Sequence, residues 1–359
     1  MDKHFSLYLD LVRFTAAAMV VLSHVVQRGM FGPVTEHPML MFGREAVMVF
    51  FILSGFVIAW STSTARLTPA QYVIARSARI YSVVVPVLVL CLLLAAIGSG
   101  SFAGSADTYQ LKKPYLYVPL HLLFMGELWN LAEVPPWLAQ YWSLGYEVWY
   151  YVLFGICYYL RGVRRAAWGA AALLVMGPKL WLLLPVWLAG AWLYARQRQL
   201  AISPWQARAG CLATLLILAA YKYSGAEFYL RELGSSWWPF PWLKLGTADR
   251  FLADYLVCVI VYLHFLYARQ ASLSALAPLA GPIRAVAAYT FTLYLVHGPV
   301  MGIWGHFHQP GRASAIDIAT LAACIGLATW SLGLVTERRK GWFKRQFEWL
   351  YRHLASHPA

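Results

Sequence analysis

Apolar runs of about 20 residues recur from one end of this chain to the other, and a lipid bilayer is the solvent that suits such a pattern. Twenty residues of helix rise about 30 Å, which matches the hydrocarbon thickness. Within that layer each backbone N–H and C=O must be paired inside the protein, which selects helices. The 359 residues are 60% hydrophobic and 12% charged, with a mean hydropathy of +0.57, so no stretch is left over for a separate soluble domain. The expected fold class is all-α: a polytopic membrane protein forming one domain over 1–359, in which 337–359 is a basic amphipathic tail.

Ten transmembrane spans are expected, at about 7–27, 43–61, 80–98, 143–161, 166–177, 180–195, 208–224, 250–268, 283–305 and 314–336. The first is long for the apolar part of a signal peptide, contains Arg13 and runs into Gln27-Arg28 rather than a small-residue cleavage site. It reads as a retained helix. With both termini cytoplasmic, 19 of the 29 Lys and Arg fall on the cytoplasmic side, as the positive-inside rule expects. Topology thus accounts for most of the net charge of +14, and no nucleic-acid partner is called for. Counting 115–130 as an eleventh span would put Arg161, Arg164 and Arg165 outside, so that stretch is expected to be re-entrant or interfacial on the outer side.

Three further features read mainly as structure. The five cysteines lie in apolar segments without metal or redox spacing and imply packing, with neither disulfide nor metal. The outer loop 225–249 carries Phe228, Tyr229, Trp237, Trp238, Phe240 and Trp242, which suit an interfacial aromatic belt or stacking on sugars. From Gly341 to Leu350, bulky apolar and basic residues alternate at near-helical spacing, as in a helix lying on the inner leaflet.

Chemistry concentrates in the first span. Arg13 and His24 are eleven positions apart, which puts them on one helix face about 16 Å apart. Ionisable groups at membrane depth are costly and mark paths or reaction sites. A neutral imidazole there can take a proton from a hydroxyl near neutral pH, whereas Arg13 stays charged and needs an anion, either Asp10 at i−3 or a ligand phosphate. The plain alternative for His24 is a packing histidine, and the charge on the same face argues against it. In the second span Ser54-Gly55 allows close helix approach or a backbone break beside a ligand. Arg76 and Arg79, at i, i+3, are able to grip a phosphate, and topology alone would also place them there. Glu147, expected at or just inside the outer interface, is a carboxylate able to orient a histidine. Tyr294 and His297 share a face of the ninth span and suit either a substrate lining or a polar packing patch, while His306 and His308 make a poor metal site.

Taken in order, these motifs resemble the acyltransferase-3 family of integral membrane O-acyltransferases. The likeness rests on Leu9-Asp10-Leu11-Val12-Arg13 through His24 (Arg-x10-His), Phe50-Phe51-Ile52-Leu53-Ser54-Gly55-Phe56, Arg76-x2-Arg79, Trp142-Ser143-Leu144 with Glu147, and Tyr294-Leu295-Val296-His297. One departure is Tyr146-Glu147-Val148-Trp149 where Glu-Glu-Gln-Phe is commoner, although Glu147 keeps the acidic position. The resemblance implies ten helices and transfer of an acyl group from cytoplasmic acyl-CoA to a saccharide hydroxyl, in a bacterial cytoplasmic membrane, by the kind without a C-terminal hydrolase-like domain. Acyl-CoA is then a co-substrate, with acetyl-CoA the default, and no tightly bound cofactor is expected. In that scheme Arg76, Arg79 and Arg13 meet the coenzyme, and His24 is the general base, held by Glu147. Tyr294 or Ser54 stabilises the oxyanion, with His297 lining the substrate path. Ser54 or Ser143 is the lesser alternative as a nucleophile. The rival from another class is a saccharide or ion transporter or flippase, against which the lack of two related halves counts. A partner scaffold would leave Arg13 and His24 without purpose.

Overall fold

The computed structural model describes residues 2–30, 37–97, 109–196, 202–308 and 314–356, and among them every regular element is helical. The α-helices in chain order are α1 Lys3–Gln27, α2 Gly43–Thr64, α3 Pro69–Ile97, α4 Pro114–Leu122, α5 Trp142–Tyr159, α6 Gly162–Met176 and α7 Pro178–Ala195. They continue with α8 Pro204–Tyr223, α9 Ala226–Trp237, α10 Phe251–Ala268, α11 Ala280–Ala287, α12 Thr290–Phe307, α13 Ala315–Val335 and α14 Lys340–Ser356.

Several starts are written in the local sequence. Asp2 caps α1 by accepting from the N–H groups of His4 and Phe5, each at 3.0 Å. Ser203 with Gln206, and Ser314 with Asp317, form capping boxes at α8 and α13. Gly177 adopts φ +76° and Pro178 opens α7, so α6 and α7 meet at a bend of 118°.

Among the described residues, five helices are long and apolar enough to cross a membrane, and up to eight spans result if each of three bent pairs counts as one. The pairs are α6 with α7, α8 with α9 (71°), and Ser274–Ala287 with α12 (48°). The chain is therefore an all-helical integral membrane protein. Two sequence expectations change in detail. Residues 225–249 are not an open loop, because 226–237 form α9, and the span expected at 80–98 belongs to a helix that starts at Pro69. Residues 115–130 contribute the nine-residue α4 followed by turns. A helix of that length rises about 14 Å, half of what a crossing needs.

At the centre, α2 packs on α7, α1, α10 and α5. The α2–α7 contact is backbone against backbone. A methyl group added at Gly55 would sit 2.0 Å from the Trp187 carbonyl oxygen, and one at Gly190 would sit 1.9 Å from that of Ile52. Small residues at a crossing are how membrane helices gain close packing without a hydrophobic drive between them. Gly55 thus serves close approach, and α2 continues unbroken through it.

Buried charges are paired, as a low-dielectric interior demands. Arg44 grips Asp254 with two hydrogen bonds (2.9 and 2.5 Å) beneath the Trp142 ring, whose centre lies 4.8 Å from the guanidinium. Lys222 reaches Glu45 at 2.6 Å, and Lys179 reaches Glu127 at 3.1 Å. In α12, Pro299 removes the N–H that would otherwise meet the Leu295 carbonyl, and the Gln140 amide donates to that oxygen at 2.9 Å instead. The exchange ties the approach to α5 onto the helix that carries Tyr294 and His297.

Candidate active site

A cavity of about 260 Å³ opens between α1, α2, α3, α5 and α12. Arg13, Arg76, Arg79, Ser54, Glu147 and Tyr294 all line it. Six of the residues expected to form a site therefore come together from five separate segments. The connection from α13 to α14 adds Glu337 and Lys340 to the same wall.

The cavity is cationic. Four basic groups, Arg13, Arg76, Arg79 and Lys340, face two carboxylates, Glu147 and Glu337. Arg13 meets Asp10 at 3.3 Å, one of the two partners expected from sequence. The Nε of Arg76 is buried with no hydrogen-bond partner among the described residues. An unpaired buried donor of that kind invites an anionic ligand. Glu337 accepts hydrogen bonds from the Phe291 and Thr292 backbone N–H groups (3.3 and 3.2 Å) and from the Thr292 hydroxyl (2.8 Å). It thereby caps α12 from the start of the tail.

Glu147 keeps to the cavity but not to the expected partner. It lies one turn inside α5 on the cavity wall, and Tyr151 follows on the same face at i+4. Its carboxylate accepts from Ser54 Oγ at 2.6 Å and from the Tyr151 hydroxyl. Ser54 in turn meets Tyr151 at 3.1 Å and accepts from the Trp187 indole at 3.2 Å. The expected support of His24 by Glu147 is not formed, because the hydrogen bonds of Glu147 lead to α2 and α5.

The partner of His24 is His297: Nδ1 of one and Nε2 of the other are 2.8 Å apart, with ring centres 5.1 Å apart. His297 is fully buried and its own Nδ1 meets the Leu293 carbonyl at 3.0 Å. This histidine pair is not part of the cavity lining. Between them stands Tyr294, whose hydroxyl meets Ser143 Oγ at 2.7 Å and whose ring packs edge-on to Phe50 at 5.7 Å and to His297 at 6.3 Å. The arrangement is a chamber with a basic wall and an imidazole pair, with one tyrosine between them.

Sequence reasoning missed Lys340, Glu337 and Tyr151. Tyr151 was signalled by its i+4 spacing from Glu147, but the tail residues carry no local signal, since they reach the cavity only through tertiary packing of α14 on α3.

Fold and chamber together define a helical membrane protein with a basic cavity and, beside it, a paired histidine. The acyltransferase-3 family model, described as an acyltransferase domain, matches residues 6–335, and the chain belongs to that family. No curated protein and no solved structure matches it.

Proposed function

We propose that this protein is a membrane O-acyltransferase that moves an acyl group, acetyl by default, from cytoplasmic acyl-CoA to a hydroxyl of a cell-surface or exported saccharide. The observation that carries the reading is the convergence of Arg13, Arg76 and Arg79 on one cavity, with the Arg76 Nε left unpaired. Coenzyme A is a polyanion on a long, narrow arm, and this chamber offers cations at its wall with Tyr294 on the same lining. We place both termini in the cytoplasm, with ten crossings of a bacterial cytoplasmic membrane, and α14 on the inner leaflet.

In this reading the coenzyme phosphates sit against Arg76, Arg79 and Lys340, and Arg13 steadies the phosphate or the pantetheine arm. The thioester passes Tyr294 toward His24. The acceptor hydroxyl then attacks the thioester carbonyl carbon as His24 takes its proton, and a donor such as the Tyr294 hydroxyl steadies the oxyanion. Collapse breaks the C–S bond, and the imidazolium returns the proton to the departing thiolate. Glu147, bonded to Ser54, holds negative charge on the chamber wall and orients that hydroxyl rather than the imidazole.

The test uses inverted membrane vesicles bearing the protein, with acetyl-labelled acetyl-CoA outside. Label is expected in the endogenous saccharide fraction, with a matching acetyl mass increment. Arg76→Ala with Arg79→Ala should raise the KM for acetyl-CoA by about 10²-fold or more, since each of the two lost charge-assisted hydrogen bonds is worth about 1.5–3 kcal/mol. A carrier would leave the saccharide mass unchanged, and that result would overturn the proposal.

A further inference from the structure

We infer that His297 is a positioning residue that fixes the tautomer of His24, presenting its Nε2 as the basic nitrogen. This deepens the reading of His24 as the general base and rests on it.

The argument follows hydrogens along one line of contacts. The Leu293 carbonyl oxygen can only accept, so the Nδ1 of His297, 3.0 Å away, must carry a hydrogen. A neutral imidazole has one N–H, so the Nε2 of His297 then offers a lone pair. That lone pair faces the Nδ1 of His24 at 2.8 Å, which must therefore be the donor. The hydrogen of His24 is held at Nδ1, and its Nε2 is left bare to accept a proton. The order is backbone carbonyl, imidazole, imidazole, with the second histidine in the place a carboxylate takes in a hydrolase triad.

The relay is held rigidly at its far end. His297 has 0% of its surface exposed and sits in α12, whose first turn is fixed by Glu337 and whose Leu295 carbonyl is tied to Gln140. Gly298 beside it presses on the Trp137 backbone so closely that an added methyl group would lie 2.3 Å from the carbonyl oxygen. Glu147 is committed to Ser54 and Tyr151, which leaves His297 as the group that sets the imidazole. A neutral partner also differs from a carboxylate in chemistry: it orients His24 without adding a negative charge at membrane depth.

Three variants separate orientation from packing. His297→Asn keeps a polar group near the Nδ1 position and loses the one that meets His24. His297→Gln can place its amide oxygen near the Nε2 position, and His297→Ala removes both. In the labelled acetyl-CoA vesicle assay, Asn and Ala are expected to lower kcat by a factor of about 10²–10⁴ with the KM for acetyl-CoA within about twofold of wild type. Gln is expected to recover at least tenfold over Asn. Wild-type kcat in His297→Asn overturns the inference, as does a Gln variant no faster than Ala when both are present in the membrane at wild-type amount. The parent reading fails separately: full transfer in His24→Ala, or no transfer by the wild type, removes the general base itself.

Discussion

His24→Ala is expected to lower the rate of acyl transfer by about 10³-fold or more while leaving the KM for acetyl-CoA nearly unchanged. Positioned general bases contribute about 10²–10⁴-fold, and a base that also returns its proton to the leaving thiolate acts in both halves of the reaction. The basic chamber should survive the change, because the imidazole pair is not part of its lining. KM is therefore expected to report the arginines and kcat the histidine, with Tyr294 between them. His24→Ala combined with His297→Ala should be no slower than His24→Ala alone, since residues acting as one unit do not add their losses. Initial rates at several acetyl-CoA concentrations, normalised to protein present in the membrane, check all of this. A twofold effect in His24→Ala would remove the imidazole from the chemistry.

What the sequence made legible, and what it hid, follows from the range of the interactions. Arg13 and His24 stood out because helical periodicity links positions within one element, and a charge in an apolar run has no innocent place. Ser54-Gly55 allows either a close approach or a break, and the structure shows the approach, with Gly190 as its counterpart. No rule of spacing connects residues 55 and 190, which meet only through tertiary packing. The same limit explains Glu147. Sequence offers it as a carboxylate able to orient a histidine, but which side chain it reaches depends on how α5 is rotated against α2. Lys179 and Glu127 pair across 52 positions, and Lys340 enters the chamber from the tail, so neither was visible as a local pattern. The bent pairs follow partly from local signals, Gly177-Pro178 above all, but the close approach of Gly177 to Trp129 at the 118° bend links positions that no local spacing connects.

The second large effect concerns the crossing of α2 and α7, where Gly55→Ala is expected to cost about 3 kcal/mol or more and to remove most folded protein from the membrane. The added methyl group would lie 2.0 Å from the Trp187 carbonyl oxygen and 3.1 Å from the Ala191 nitrogen, and both are backbone atoms of α7. No side-chain rotation relieves such a contact, so the two helices must part, and overpacking of this kind exceeds the usual 1–3 kcal/mol when backbone is struck. Gly169→Ala in α6 is the control, because a methyl group there meets nothing within 4 Å and alanine favours the helix. Thermal midpoints of the detergent-solubilised protein should fall for the first variant and hold or rise for the second. The consequence reaches the chamber, since Ser54 adjoins Gly55 and its hydroxyl joins the Trp187 indole of α7 to the Glu147 carboxylate of α5. Any Gly55→Ala molecule that does fold must hold α7 further from α2, stretching the 3.2 Å bond from Trp187 to Ser54. Residual transfer by that folded fraction should therefore fall below wild type per molecule, whereas wild-type turnover would show that the chamber tolerates a loosened crossing.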